Sequence, residues 1–378
     1  MNKLRPVYVL LFFLLSFLPL VPADAQQRRL DPWWITLEEG KRSFRTGSYG
    51  NALKFFEDAR ENRRRYYEKM ERDLITVLSI PEVRRLGDYL DHLEIYIERE
   101  FRRDAADALG ELFYRVPKRT LNNSSRAALA ALGRLKNYPE AEYWIGEVYR
   151  MEGEFGIALA QYQKAYNDRE LMENPGFGIE ILYRIADIRR LRREHGEMAR
   201  ALDDILKADA FWSRESFNRS NLLRSLENNG INRFLLLFRH NEPAMEKAHR
   251  YLGLYYYESG RHDAATGHLL FAFLIQNSFI INAMIQSQYN YSFTSLESLM
   301  NDISRRRDLL GYVEETEYYK TLFFLANSLY GINRRAPARE IWTFLRDNTR
   351  GEWQGRAASQ LANPRLDAPQ AIGRPGSP

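Results

Sequence analysis

Three stretches of this chain repeat one spacing of small residues. In each, a glycine is followed by an alanine 12 residues later and by a second alanine 19 residues later. The three sets are Gly40, Ala52 and Ala59; Gly146, Ala158 and Ala165; and Gly253, Ala265 and Ala272. Where two helices cross closely, only Gly or Ala fits at the contact, and larger apolar residues fill the space on either side. The spacing therefore predicts pairs of helices joined by a turn.

Each stretch also has a second glycine seven residues after the first and a large side chain four residues after the middle alanine. The second glycines are Gly47, Gly153 and Gly260, and the large side chains are Phe56, Tyr162 and Leu269. A glycine at the end of a helix favours a left-handed cap, because it has no Cβ to oppose a positive φ. We expect the first helix of each pair to end there.

This pattern resembles the tetratricopeptide repeat, a helix–turn–helix unit of about 34 residues. Two degraded copies keep parts of it: Ala326 and Ala338 with Trp342, and Ala186 with Ala199 and Leu206 after a one-residue slip. The resemblance implies an all-α fold, a right-handed α-solenoid of such repeats with divergent helical pairs between them. Repeats are predicted near 33–66, 139–170 and 246–277, and degenerate ones near 181–209 and 319–348.

Most of the remaining chain up to Leu361 also has apolar residues at helical spacing. Two segments depart from a simple repeat. The second helix of the first repeat is predicted to continue through a charged run toward Ser79. The segment from Leu269 to Leu296 has no charged residue, and its amides argue against a membrane span. It is either a helix buried between its neighbours or an exposed surface for a partner.

Residues 1–25 have the pattern of an export signal. Lys3 and Arg5 precede an apolar run from Val7 to Leu20, and Ala23-Asp24-Ala25 has the small residues of a cleavage site. The run is shorter than the roughly 20 apolar residues that a membrane-spanning helix needs. We predict a signal that is cleaved after Ala25, with an uncleaved N-terminal anchor as the alternative.

The chain has no cysteine, which excludes both a lipid-anchored lipoprotein and disulfide bonds. A mature chain in the periplasm, without a membrane span, fits these features best. Lys and Arg number 55 against 50 for Asp and Glu, and the charges are interspersed, so a nucleic-acid partner is not expected. The segment 362–378 is short, rich in Pro and Gly and without periodicity, and it is predicted to be a disordered tail.

The sequence contains no motif typical of an enzyme, such as a nucleophile elbow, a zinc-binding H-E-x-x-H or a phosphate-binding glycine loop. Of its six histidines, His262 and His268 are six residues apart, which does not place them on one helix face as metal ligands. We therefore predict a protein that is not an enzyme, with no catalytic residue, metal or cofactor.

Repeats of this family bind partners on a concave surface formed by the first helix of each pair. Counted from the central small residue, the resemblance implies a partner-binding groove formed by Tyr143, Glu147, Arg150, Arg250, Leu254, Tyr257, Phe323, Asn327 and Tyr330. Tyr and Arg are the residue types that anchor interfaces. The alternative is that these aromatic residues pack against adjacent repeats. Because the groove positions lie off the helix crossings, we expect the fold to survive their truncation.

The sequence favours a periplasmic scaffold or adaptor that binds a protein partner, within an envelope-associated assembly. The alternative is an accessory protein of an uptake system, with a small ligand in the aromatic groove. A cell-wall enzyme is a third, weaker reading. Affinity pull-down separates the first two, since a scaffold retains a protein and a solute-handling protein retains a small molecule.

Cleavage after Ala25 gives a mature chain that begins at Gln26. We expect N-terminal sequencing of the protein recovered from the cell envelope to read Gln26-Gln27-Arg28. Recovery of a chain that begins at Met1 would contradict cleavage and support the anchor.

Overall fold

The computed structural model describes residues 32–78, 114, 125–212 and 215–366, and the regular elements in these ranges are all helices. The predicted all-α class is thus confirmed for the part of the chain that the structure describes. The chain divides into two compact units, residues 1–152 and residues 153–378. The predicted signal at residues 1–25 lies outside the described residues. The segment predicted to be a disordered tail begins at the last residue of a helix, Ala362, and residues 367–378 lie outside the described ranges.

The first unit is organised around one long helix. Its helices are α1 (Trp33–Arg45), α2 (Tyr49–Leu78), α3 (Ser125–Leu135) and α4 (Pro139–Met151). Helix α2 packs against α1, α3 and α4. Ala52, Phe56 and Ala59 of α2 share a buried core cluster with Ile145 and Val148 of α4.

The extension of α2 reaches Leu78, close to the predicted end at Ser79. One side of it is packed: Tyr67 is fully buried, and the Nε of buried Arg63 donates to the backbone oxygen of Leu135 at 3.0 Å. Another part of its surface carries exposed ion pairs within the helix, from Arg64 and Arg65 to Glu61. The extension therefore helps to hold α3 in place.

The second unit contains a longer succession of helices. In its described residues they are α5 (Phe155–Asn167), α6 (Gly178–Leu191), α7 (His195–Leu206), α8 (Glu215–Leu237), α9 (Glu246–Glu258), α10 (His262–Ser287), α11 (Leu296–Ile303), α12 (Arg307–Glu315), α13 (Tyr318–Gly331), α14 (Arg335–Asn348) and α15 (Glu352–Ala362).

Helices that follow one another along this unit mostly pack together. Helix α5 packs on α6, α6 on α7, α7 on α9, α9 on α10, α10 on α13, α13 on α14 and α14 on α15. Helix α8 is kinked at Gly230, where φ is 72°, and packs against α10 and α14. Helices α6 with α7, α9 with α10 and α13 with α14 are the pairs expected near 181–209, 246–277 and 319–348. The repeat expected near 139–170 is divided between the two units.

One hydrogen-bond arrangement ends the first helix of several pairs. After α1, the N–H of Gly47 donates to the oxygen of Phe44, and the N–H of Ser48 donates to the oxygen of Ser43. This is the Schellman arrangement, which satisfies carbonyl groups at a helix end. The same two bonds close α6, α9 and α13, where the left-handed residues are Arg193, Gly260 and Asn333.

The predicted left-handed glycines are confirmed, since Gly47, Gly153 and Gly260 all have positive φ. The degraded repeats keep the same turn without glycine. Arg193 has φ 60° and Asn333 has φ 63°, and both follow the central small residue by seven positions. The turn is thus more widespread than the sequence motif that predicted it.

The predicted small residues lie where space is tightest. A Cβ built on Gly40 would be 2.5 Å from the ring of Phe56, and one built on Gly253 would be 2.6 Å from Cγ of Leu269. The other predicted positions are also buried: Ala52, Ala59, Gly146, Ala158, Ala165, Ala265, Ala272, Ala326 and Ala338.

Helix α10 is the central element of the second unit. It packs against α8, α9 and α13, and every residue from Ala265 to Ser278 is buried. Among the described residues, it is the one helix that is long and apolar enough to cross a bilayer, and 78% of that apolar window is buried inside the protein. The stretch predicted as uncharged is therefore buried from Leu269 to Ser278, as the first of its two alternatives predicts.

Two glycine substitutions test the close crossing of α9 and α10. We expect Gly253→Ala to destabilise the fold by about 1–3 kcal/mol, because its Cβ would lie 3.1 Å from the backbone N of Leu269 as well as against the side chain. Gly311→Ala is the matched control. Gly311 lies within α12 with no neighbouring atom within 4 Å of a Cβ, so alanine should stabilise by about 0.5–1 kcal/mol. Urea denaturation measures both; equal effects would contradict a tight crossing.

Candidate partner-binding site

The groove residues of the first unit lie on successive turns of α4. Tyr143 and Glu147 are buried, and Arg150 retains 28% of its side-chain exposure. The Nη2 of Arg150 donates to Glu147 Oε2 at 2.8 Å. Glu147 is therefore engaged by its own helix, and Arg150 is the residue of the three with the most exposed surface.

The structure brings the groove residues of α9 and α13 together inside the second unit. The Nδ2 of Asn327 donates to the hydroxyl oxygen of Tyr257 at 3.3 Å, and the Nε1 of Trp342 donates to Asn327 Oδ1 at 3.1 Å. Leu254 is buried, and Tyr330 is half-buried with its ring 5.7 Å from that of Trp342. These side chains join α9, α13 and α14, which is the alternative that the sequence left open.

Helix α15 covers Phe323. This side chain is fully buried, with the ring of Trp353 at 5.6 Å and the guanidinium of Arg356 at 4.4 Å above its ring. The sequence predicts helical spacing up to Leu361 but not that this helix covers Phe323, although Trp353 and Ala357, spaced by four, and Gln360 suit one helix face.

Arg250 lies in a buried polar network instead of an open groove. Its Nε donates to Glu246 Oε1 at 2.9 Å, and its Nη1 donates to Glu317 Oε2 at 2.5 Å. Gln276 of α10 donates to the same Glu246 oxygen at 2.7 Å and to the oxygen of Thr316 at 2.9 Å. Burial raises the pKa of Glu246, although Arg250 and Gln276 oppose that rise. The network connects α9, α10 and the start of α13.

The expectation that the fold survives truncation of the groove residues therefore needs correction for Arg250. Alanine at this position would leave Glu246 buried without its cation, and an uncompensated buried charge costs about 3–5 kcal/mol. The sequence position of Arg250 matches a partner-facing position of the family, but in the structure its guanidinium bonds to Glu246 and Glu317 inside the protein.

Three histidines and a tryptophan meet in the core between α9, α10 and the segment after α7. The Nδ1 atoms of His249 and His268 are 3.2 Å apart, so one must donate and the other accept. The ring of Trp212 lies 4.7 Å from that of His249 and 4.6 Å from that of His268. His249 is fully buried, and its Nε2 has no hydrogen-bond partner among the described residues. Burial therefore holds the pKa of His249 well below its usual value.

The third histidine, His240, is fixed from two directions. Its Nε2 is 2.7 Å from Asp209 Oδ2, and its backbone N–H donates to the hydroxyl of Ser278 at 2.9 Å. Burial opposes ionisation of Asp209, but His240 and the N–H groups of Trp212 and Phe211 hold the pKa of its carboxyl below the usual value. The imidazole is thereby held in one place.

His240 also lines a pocket on the second unit, which we call the uncharged pocket. It has a volume of about 260 Å³ and lies between the segment after α8 and the C-terminal half of α10. Its lining residues are His240, Asn241, Pro243, Ile275, Phe279, Asn282, Ala283 and Gln286. Arg239, which precedes His240, and Glu242, which lies between Asn241 and Pro243, are not among its lining residues.

Apolar side chains are exposed beside this pocket in sequence. Phe279 is 40% exposed and Ile285 is 47% exposed on α10, and Leu237, at the end of α8, is 57% exposed. The ring of Phe279 stacks on Tyr312 of α12 at 4.1 Å, which fixes its position. Exposed apolar residues together with uncharged polar groups are typical of a surface that meets another molecule. This part of the uncharged stretch is therefore exposed, unlike the part from Leu269 to Ser278.

Comparisons with known proteins give relatives without a described activity. The chain is 25% identical over 337 residues to an uncharacterized protein of Treponema pallidum, covering 88% of this chain and 90% of that protein. It is 21% identical over 254 residues to an uncharacterized protein of Borreliella burgdorferi, covering 61% of this chain and 78% of that protein. No protein-family model and no solved structure matches the chain.

The lowered pKa of His249 predicts a loss of stability in mild acid. In the unfolded chain the imidazole of His249 has a pKa of about 6.5 and binds a proton below that pH. In the folded chain the same imidazole stays neutral at that pH. The free energy of unfolding therefore falls as the pH falls. This one group contributes a slope of up to about 1.4 kcal/mol per pH unit. We expect His249→Gln to flatten the pH dependence between pH 6.5 and 5, measured by urea denaturation. Parallel curves for the two proteins would contradict this prediction.

Proposed function

We propose that the chain is a non-enzymatic scaffold or adaptor of the periplasm that binds a protein partner within an envelope-associated assembly. Its helices are proposed to stack as repeats similar to tetratricopeptide repeats. The matching turns after α1, α6, α9 and α13, together with the close crossings at Gly40 and Gly253, support this reading. The signal-like pattern of residues 1–25 supports the location.

The observation that carries the proposal is the uncharged pocket, together with the exposed apolar residues that lie close to it in sequence. Burying Phe279, Ile285 and Leu237 against a partner would remove apolar surface from water, and each such side chain contributes about 1–3 kcal/mol when it is fully buried. The pocket is therefore a better candidate for partner binding than the groove predicted from the family. Seven of the nine groove residues, Arg250 among them, are buried on α4, α9 and α13.

The lining of the pocket suits binding better than catalysis. His240 is its one titratable side chain, and no hydroxyl or carboxylate group accompanies it there. Activation of a nucleophile requires such a group within hydrogen-bond reach of the base. Asp209 orients His240, but in this setting the pair serves to hold the pocket wall.

The volume of the pocket favours a protein partner over the small-ligand alternative. Sites that enclose a small molecule usually have about 300–1,000 Å³, and the pocket has about 260 Å³. The aromatic groove in which the sequence expected a ligand is filled by its own side chains. A pocket of this size suits one side chain of a larger partner.

Pull-down from envelope extracts tests the proposal. We expect the wild-type chain to retain a protein partner, and the double variant Leu237→Ser with Ile285→Ser to retain at least tenfold less, because two apolar contacts are lost. Leu191→Ser is the matched control: Leu191 is 49% exposed on α6, away in sequence from the pocket. Its retention of the partner should equal that of the wild type.

Mass spectrometry of the retained material separates the two functions. A small molecule that co-purifies in equal amount with the chain, in the absence of a protein, would contradict the scaffold and favour solute handling. Equal retention of a protein partner by the wild type and the double variant would place the contact elsewhere on the chain.

A further inference from the structure

The shape of the uncharged pocket indicates what kind of protein segment it receives; this inference rests on the proposed function. One wall is a stripe of α10, in which Phe279, Asn282, Ala283 and Gln286 are spaced i, i+3, i+4 and i+7. The other wall is the segment His240–Pro243, which ends at the first residue of a short 3-10 helix. The site is thus a short cleft between a helix and a stretch of chain.

The cleft is already ordered before a partner arrives. The Nδ2 of Asn282 donates to Asn241 Oδ1 at 2.8 Å, so the two walls are bonded to each other. His240 is held by Asp209 and Ser278, and Phe279 is held by its stack on Tyr312. A preformed site loses little entropy on binding, which favours recognition of a short segment.

The lining selects against charge. It contains no Lys, Arg, Asp or Glu, and α10 has none after Asp263. A charged side chain that entered the cleft would give up its hydration without gaining an ion pair, which is strongly unfavourable. Ile275, Pro243 and Phe279 offer apolar contact instead, so the group that fits is one large uncharged side chain.

The amides of the cleft point to the conformation of the ligand. Asn241, Asn282 and Gln286 together offer both donors and acceptors. A helical ligand satisfies its own backbone N–H and C=O groups and leaves little for these amides to bind, whereas an extended peptide leaves those groups free.

We propose that the uncharged pocket binds an extended, uncharged peptide segment of a protein partner, with one large apolar or aromatic side chain inserted beside Phe279 and the flanking backbone bonded by Asn241, Asn282 and Gln286. The bond between Asn241 and Asn282 uses one hydrogen and one oxygen of the pair, so each amide keeps a further group for the ligand.

The test uses a phage-displayed library of random linear nine-residue peptides, selected on the full chain. We expect the selected peptides to share an uncharged centre with one large apolar residue.

The affinity of a synthetic copy, measured by fluorescence anisotropy, should fall at least tenfold with Ala283→Trp, which fills the cleft. Ala160→Trp is the matched control, since Ala160 is an exposed alanine of α5, and it should leave the affinity unchanged. N-methylation of the peptide amides beside the anchor should also lower the affinity at least tenfold.

Several results would overturn the inference: selection of charged peptides or of none, equal affinity for the wild type and Ala283→Trp, or full affinity after N-methylation. Binding of neutral oligosaccharides on a glycan array, in place of peptides, would overturn it as well.

The peptide-cleft proposal and the scaffold proposal fail in different ways. If wild type and Ala283→Trp retain an envelope protein equally, the pocket assignment fails and the scaffold stands. If peptides bind the cleft but the chain retains no envelope protein, the peptide cleft stands and the scaffold fails.

Discussion

The close approach of paired helices is the constraint on which the rest of the structure depends. At Gly40 and Gly253 the neighbouring helix lies so near that a single methyl group would collide with Phe56 or Leu269. Such an approach places large apolar side chains of one helix directly on the backbone of the other, where dispersion contacts are dense. With no disulfide in the chain, packing of this kind supplies the cohesion. The buried polar networks are additions to it: Arg250 and Gln276 fix how α9, α10 and α13 meet, at the cost of removing charges from water.

Much of the local architecture could be predicted from the sequence, because the signals are short-range. A small residue marks where the first helix of a pair is crossed by the second. A left-handed residue seven positions later marks where the first helix ends. Arg193 and Asn333 show the limit of such a motif, since both adopt the left-handed turn that glycine favours. There the hydrogen bonds of the turn and the packing of the flanking helices outweigh a cost of about 1–2 kcal/mol per residue. A search for glycine alone underestimates how many helix pairs are present.

The candidate site could not be predicted in the same way, because it depends on contacts between distant parts of the chain. The family register placed Arg250 and Phe323 in an open groove. In the structure Arg250 forms an ion pair with Glu317, and α15 covers Phe323. The uncharged pocket joins residues 240–243 to the end of α10, about 40 positions away, and no local pattern links them. The absence of charge from Leu269 to Leu296 was the useful signal. The segment is buried from Leu269 to Ser278, and Phe279 and Ile285 beyond it are exposed.

The composition of helix α10 has a consequence for the export that we propose. If the chain crosses a membrane before it folds, α10 crosses with it, and an 18-residue window of this 26-residue helix is apolar enough to stay in a bilayer. The amide side chains of α10 raise the free energy of the helix inside the bilayer, because an unpaired amide in hydrocarbon costs several kcal/mol. In the folded protein the Nε2 of Gln276 donates to Glu246, and Asn277 Oδ1 accepts from the hydroxyl of Tyr318. Leucine at both amide positions would remove these partners from the folded core, and during the proposed export it would also favour retention of α10 in the membrane as a stop-transfer sequence.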